Sequence, residues 1–216
     1  MPESGVHRTP FILGTPIKNP ADFFGRKRVL RELYDAILDH QLVTVVGEHR
    51  CGNTSVLYQL LHEEQRARYL TPAQDGALLF AIVSAQLAAE GPRAFLRRVG
   101  LSLRRSDPDA RVEFPEETDQ RWLENYLEDL ADRDRRLVLL IDELEVLADL
   151  DPAFWEWFQS LVTELDVAVV ASSRSDLGRF RSERGAGPPF FNMFRSLYLG
   201  SFTPETVHHF LREKSE

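Results

Sequence analysis

Four apolar runs, LVTVV at 42–46, ALLFAIV at 77–83, LVLLI at 137–141 and VAVVA at 167–171, are short and bounded by turn or polar residues. Each predicts a strand buried on both faces, and Ser196–Leu199 predicts a fifth, shorter one. Between them the period changes to three and four. Val29, Leu30, Leu33, Ile37 and Leu38 mark an amphipathic helix over Arg26–Asp39. Trp122, Leu123, Tyr126, Leu127 and Leu130 mark another over Thr118–Ala131. Ser55–Arg68, Arg93–Leu103 and the aromatic-rich Pro152–Leu165 also predict helices. Thr203 as N-cap, with Pro204 at the first helical position, opens a last helix that runs to the end of the sequence. Residues 1–25, with Pro2, Pro10, Pro16 and Pro20, predict an extended lead-in, while Asp107–Pro115 and Ser175–Pro189 predict loops.

Apolar strands alternating with helices predict an α/β fold built on a mostly parallel sheet covered on both faces. Ligands in such sheets bind at the carboxyl ends of the strands, and three polar segments fall there: 47–54, 142–143 and 172–174. At 216 residues, 43% hydrophobic and 28% charged, the chain suffices for one good-sized globular domain or one plus a fragment. A formal charge of −8 counts mildly against a nucleic-acid binder. No apolar run approaches the roughly 20 residues that cross a bilayer, and the N-terminus lacks the layout of a secretory signal. The single cysteine, Cys51, rules out an internal disulfide framework. Together these predict a reduced, cytoplasmic protein.

The segment VVGEHRCGNTS carries Gly47, four residues, Gly52, Asn53, Thr54 and Ser55. A glycine loop between strand and helix presents backbone N–H groups to an anion, and the helix dipole adds partial positive charge. Thr54 is placed to put its hydroxyl on Mg²⁺. A phosphate loop has lysine where Asn53 stands. Asn53 offers a hydrogen bond but no charge, and a charge-assisted bond is roughly twice as strong as a neutral one. Weaker triphosphate affinity and a larger loss of transition-state stabilisation follow. Taken alone, the same spacing also describes a plain glycine turn, but a strand precedes it and a helix follows it.

In RLVLLIDELEVL, Asp142 and Glu143 end an apolar strand. An aspartate there can hold Mg²⁺ through water, and the next carboxylate can orient and deprotonate an attacking water. VAVVASSR ends in Ser172, Ser173 and Arg174. Arg174 would lie near a γ-phosphate and partly restore the missing charge, with Arg50 in the loop as a second candidate. Solvated loop acids and a surface arginine are the plainer readings of these residues.

With these segments in order, the chain resembles the AAA+/STAND branch of P-loop ATPases, and within it the bacterial AAA-like, origin-recognition-like ATPases. NPADFFGRKRVLRELYDAI resembles their N-terminal box, VVGEHRCGNTSVLYQL Walker A, RRLVLLIDELEVL Walker B, VAVVASSR sensor 1, and FFNMFRSLYLGSFTPETVHHFL the passage into the helical lid. The resemblance covers roughly residues 19–216. It implies a three-layer α/β sandwich with a five-stranded parallel sheet in the order 5-1-4-3-2. It also implies an extended segment over 1–18, a nucleotide-binding domain over 19–200, and the first helix of an otherwise absent lid over 201–216. ATP or ADP with Mg²⁺ would be the ligands. Phe24, Gly25 and Arg26 would wall the adenine, Gly47 and Arg50 through Ser55 (Cys51 included) would hold phosphates, and Thr54 with Asp142 would hold the metal. Glu143 would be the base, and Arg174 would sense the γ-phosphate. The implied function is a nucleotide-dependent switch or scaffold with weak or absent hydrolysis. The alternatives are a protein-interaction module that binds no nucleotide and a DNA-associated ATPase fragment.

Arg93, Arg97, Arg98, Arg104, Arg105 and Arg111 form a basic stretch, read chiefly as a solvated face balanced by the acid-rich 113–134 region. Phe154, Trp155, Trp157 and Phe158 surround one helix, which predicts mostly core rings with one or two exposed for a protein partner or self-association. The six histidines show no metal-ligand spacing.

Overall fold

The computed structural model describes residues 14–179 and 188–215. The strands are β1 (Val43–Val46), β2 (Leu78–Ser84), β3 (Arg136–Asp142), β4 (Ala168–Ser173) and β5 (Arg195–Tyr198). They form one five-stranded sheet in the order β2-β3-β4-β1-β5. Every pairing is parallel. Read from the other edge, this is the order implied by the resemblance. The longer helices are α1 (Lys27–Leu38), α2 (Asn53–Leu60), α3 (Pro92–Ser106), α4 (Gln120–Ala131), α5 (Pro152–Glu164) and α6 (Pro204–Ser215).

Side-chain alternation along the strands divides the apolar interior into two layers. Leu79, Ala81 and Val83 of β2, Leu137, Leu139 and Ile141 of β3, and Val169 and Ala171 of β4 face α3, α4 and α5. The intervening residues, Leu78 and Phe80, Val138 and Leu140, Ala168 and Val170, face α1 and α2 on the other side with Val43 and Val45. Because both faces are covered there, β2, β3 and β4 are near-continuous apolar runs, while the edge strand β5, Arg-Ser-Leu-Tyr, is partly exposed.

The helix expected over Ser55–Arg68 is shorter in the structure. α2 ends at Leu60, and a separate turn, Glu63–Arg66, follows His62. The extended φ and ψ at His62 break the helix there. A short helix at Pro72–Gly76 gave no apolar period to find, yet Thr71 and Gln74 form a capping box around its start. The lead-in is not wholly extended, since Pro20–Asp22 forms a 3₁₀ turn capped by Asn19. Its residues 1–13 lie outside the described residues, as do residues 180–187 of the loop expected at Ser175–Pro189. The four aromatics of α5 expose no ring. Phe154, Trp155 and Phe158 are buried, Phe154 against Phe95, Trp155 against Phe190 and Phe191, and Phe158 against Phe190. Trp157 is half-buried, and its indole donates to Glu124 at 2.6 Å. Among the described residues no helix is long and apolar enough to cross a membrane.

Under α3 and α4 lies a charged cluster that periodicity could not show. Asp107 is 1% exposed. It accepts from the Tyr126 hydroxyl at 2.7 Å, from Arg133 at 2.6 and 3.1 Å, and from Arg135 at 3.2 Å. Burial pushes its carboxyl up, but the hydrogen bonds from Arg133 and Tyr126 and the two guanidinium charges outweigh burial and hold it below the usual range. A depressed carboxylate stabilises the fold fully above its unfolded value, and that contribution is lost as pH falls through its folded value. Asp107→Ala leaves Arg133 buried without its main partner. We predict a loss of about 3–5 kcal/mol in urea unfolding at neutral pH. The difference from the parent protein should shrink as the pH is lowered past the carboxylate range.

Candidate functional site

The register puts Val46 of β1 beside Ser173 of β4 and Ile141 of β3 beside Ala171. The loops leaving β1, β3 and β4 therefore open at one end of the sheet. Beyond β1, Gly47 N–H still donates to Ser173 O at 3.1 Å before the chain turns away. Arg50, at φ 70, and Gly52, at φ 98, are left-handed and wrap the loop into the N-terminus of α2. No side chain caps that helix, so its first N–H groups face the loop.

Asn53 does not reach outward from this loop. Its amide nitrogen donates to Gly47 O at 2.7 Å and to Ser173 O at 3.3 Å, tying the loop's base to the end of β4. The other end of the amide, Oδ1, is buried without a partner. It stands 2.4 Å from where a Cβ on Gly47 would sit. A Cβ at position 47 would therefore have to displace the Asn53 amide.

Thr54 and Asp142 come together. The Thr54 hydroxyl lies 3.0 Å from both carboxylate oxygens of Asp142. Ser172 donates to Asp142 Oδ1 at 2.6 Å and accepts from the Glu143 N–H at 2.9 Å, so one hydroxyl orients both acids. Burial pushes the Asp142 carboxyl up, the hydroxyls of Ser172 and Thr54 pull it back, and the Glu143 charge adds to the rise, which prevails. A hydroxyl and a carboxylate in direct contact are a donor set that suits a hard cation such as Mg²⁺.

Glu143 adopts the left-handed conformation, at φ 61, and is engaged by Arg174. The Arg174 Nη2–Glu143 Oε1 distance is 2.7 Å. Glu145, mostly buried, accepts from Arg174 N–H at 3.1 Å and lies 3.9 Å from its Nε. Arg174 is therefore held over the two glutamates that follow β3.

On the other side of the loop, Arg26 donates to Gly200 O at 2.8 Å and Cys51 O at 3.4 Å, and its guanidinium lies over the Phe202 ring at 4.2 Å. Gly25, at φ 73, lets Phe202 and Thr206 approach to 2.9 and 2.6 Å of where a Cβ would be. Phe24 packs on Phe210 of α6, with ring centroids 5.4 Å apart. Cys51 is half-buried and Arg50 exposed. Ser55 is buried, and its hydroxyl accepts from Ile17 N–H at 2.9 Å, turned toward the N-terminal segment.

The structure thus gathers Gly47, Asn53, Thr54, Asp142, Glu143 and Arg174 at one end of the sheet. It places Arg26 between the loop and the α6 segment, and it turns the Ser55 hydroxyl elsewhere. Reading the sequence passed over Ser172 as a site residue and Glu145 altogether. The polar break after VAVVA was the available signal for the first; an acid two positions beyond Glu143 was the only signal for the second.

The family model described as "Novel STAND NTPase 1" matches residues 17–212. The sequence matches none of the curated proteins. Among solved structures, a Walker-type ATPase of Pyrococcus abyssi is similar at TM-score 0.69 and 15% identity, covering 95% of this chain and 61% of that one. The ORC2 protein of Aeropyrum pernix, in ADPNP and ADP complexes, gives 0.64 at 13% identity, covering 95% and 54%. The ORC1 protein of the same organism, in complex with DNA, gives 0.59 at 18% identity, covering 89% and 50%. These likenesses concern the fold, and this chain spans about half to three fifths of those chains.

The Asn53 contact predicts a double-mutant result. Gly47→Ala should cost about 1–3 kcal/mol by overpacking against Asn53. In an Asn53→Ala background the same change should cost markedly less, because the obstructing oxygen is gone. Chemical denaturation of the four proteins measures the coupling.

Proposed function

The chain belongs to the novel STAND NTPase 1 family, and on that premise we propose that it binds ATP as a nucleotide-dependent switch or scaffold with weak or absent hydrolysis. Asn53 carries this reading. Its amide is engaged with the carbonyls of Gly47 and Ser173, so the loop brings no lysine charge to a β- or γ-phosphate. What remains for phosphate binding is the backbone N–H cradle, the start of α2 and the exposed Arg50. Such a cradle favours a bound anion in the ground state, but supplies little for the charge that grows on the phosphoryl oxygens during transfer.

Thr54 and Asp142 would hold Mg²⁺, which would add positive charge against the bound phosphates. Ser172 fixes the Asp142 carboxylate that would accept it. Glu143, the candidate base, is drawn toward Arg174, so its carboxylate is occupied by a cation rather than free to take a proton from water. A phosphate arriving beside Arg174 would compete with Glu143 for the guanidinium. Binding and the state of the base would then be linked. Phe24 and Arg26, which contact Phe210 and Gly200, would carry that change toward α6, the segment through which a protein partner or a second copy would read it. The reading without nucleotide rests on the same amide, since Asn53 satisfies the loop internally as the chain stands.

Calorimetric titration with ATP and ADP, with and without Mg²⁺, tests the proposal on the unaltered chain beside Asn53→Lys. We expect ATP to bind the unaltered chain with Kd on the order of micromolar. We expect Asp142→Asn to remove the Mg²⁺ dependence. Asn53→Lys should tighten ATP binding by roughly tenfold, about 1.4 kcal/mol. No binding until lysine is restored would overturn the switch in favour of a nucleotide-free interaction module.

Release of the base gives a separate prediction. Arg174→Ala, made in the Asn53→Lys background, should abolish any preference for ATP over ADP. Equal preference with and without Arg174 would show that this residue does not read the terminal phosphate.

A further inference from the structure

The exposed face of α3 lies away from the nucleotide loop, on the other side of the sheet from α1 and α2. Arg93, Arg97, Leu101 and Arg104 follow one another along it at intervals of four, four and three, so they share one stripe. The stripe is about 16 Å long. In a chain with a net charge of −8, surface arginines would be expected to find acids. Among the described residues, none of these three arginines makes an ion pair. No ion pair among the described residues joins them to the acid-rich 113–134 region. Asp129 pairs with Arg133 and Glu124 takes the Trp157 indole, while Glu116 lies beside Arg97 and Arg104 without an ion pair to either.

The stripe is not purely polar. Leu101 is 37% exposed, and Leu87, whose carbonyl accepts from Arg98 at 3.2 Å, is 60% exposed. Between Arg97 and Arg104 the helix has Gly100, where the chain of 115–118 comes so close that a Cβ would meet the Thr118 methyl at 2.5 Å. The notch so formed is lined by Arg97, Arg104, Leu101, Phe114, Glu116 and Thr118. Its space is about 20 Å³, enough for one small polar group. Thr118 is 8% exposed, and its hydroxyl is buried there without a partner. A buried unpartnered hydroxyl costs free energy that a ligand oxygen would recover.

We propose that the α3 face is a docking surface for an extended acidic segment of a partner protein, one that alternates carboxylates with apolar residues. Carboxylates would pair with Arg97 and Arg104, one of them reaching the Thr118 hydroxyl in the notch, and apolar side chains would cover Leu87 and Leu101. An extended segment of about five residues spans the stripe at roughly 3.3 Å per residue. Unpaired arginines beside exposed leucines are the composition of a protein-binding patch. A DNA duplex fits this surface less well. Phosphates find no partner in the exposed Leu87 and Leu101, whereas a peptide strand can set apolar residues on the leucines and hold its carboxylates on the arginines, clear of Glu116.

The test uses a fluorescein-labelled peptide of about twelve residues, repeating Glu-Glu-Leu, with fluorescence anisotropy as readout and an unlabelled mixed-sequence duplex as competitor. The expected result is saturable binding that Arg97→Glu with Arg104→Glu weakens at least tenfold. Leu101→Ser and Thr118→Val should each weaken it several-fold, with melting temperatures recorded for every variant. ATP affinity should be unchanged in the arginine variant, which separates this surface from the nucleotide reading. No saturable peptide binding, binding insensitive to the two charge reversals, or displacement by the duplex at lower concentration than by unlabelled peptide would each overturn the proposal.

Discussion

Strand β4 is hydrogen-bonded on one side to β1 and on the other to β3, and the polar groups at this end of the sheet take their places from that insertion. Ser173 O receives both Gly47 N–H and the Asn53 amide. Ser172, one residue earlier and on the β3 side, binds Asp142 and the Glu143 N–H. One strand end thus fixes the phosphate loop and the acid pair relative to each other. The constraint is strong because both faces of the sheet are covered. Slipping β4 by one residue would exchange its two apolar faces and lose both sets of bonds at once.

Within that frame the departure at position 53 has a structural logic. A lysine is long enough to extend from the loop; an asparagine is short and folds back onto the backbone that surrounds it. The amide gives the loop a tie that needs no ligand, and Gly47 is shaped to admit it. On the opposite side of the site, Arg174 and the glutamates that follow β3 satisfy one another. The site is therefore closed on itself at two points, by a neutral hydrogen bond and by an ion pair. A bound phosphate group could displace the ion pair by offering stronger charge. It gains no charged partner at the amide. This asymmetry is why the proposed function separates binding from hydrolysis.

The last helix enters the same arrangement from the other side. Arg26 spans from Cys51 in the loop to Gly200 before α6 and lies over Phe202. The contact gives the loop a direct mechanical link to a segment with exposed apolar residues, Phe202, Val207 and Leu211.

The sequence by itself determined the strands, their parallel class and the segments at which chemistry would gather, because burial on both faces writes continuous apolar runs and polar residues stand out at their ends. Gly47, Thr54, Asp142 and Glu143 were legible for that reason. The strand order followed from resemblance, since no local pattern records which runs become neighbours. Tertiary structure alone decided where polar side chains point. It turned Asn53 inward to two carbonyls, gave Arg174 to Glu143, sent the Ser55 hydroxyl to Ile17, and buried Asp107 among arginines from a distant segment. Each of these choices depends on a partner far along the chain, at separations such as 120 residues for Asn53 and Ser173. A local period carries no information about such a partner, because hydrogen bonds and ion pairs are set by the approach of surfaces that only the packed sheet brings together.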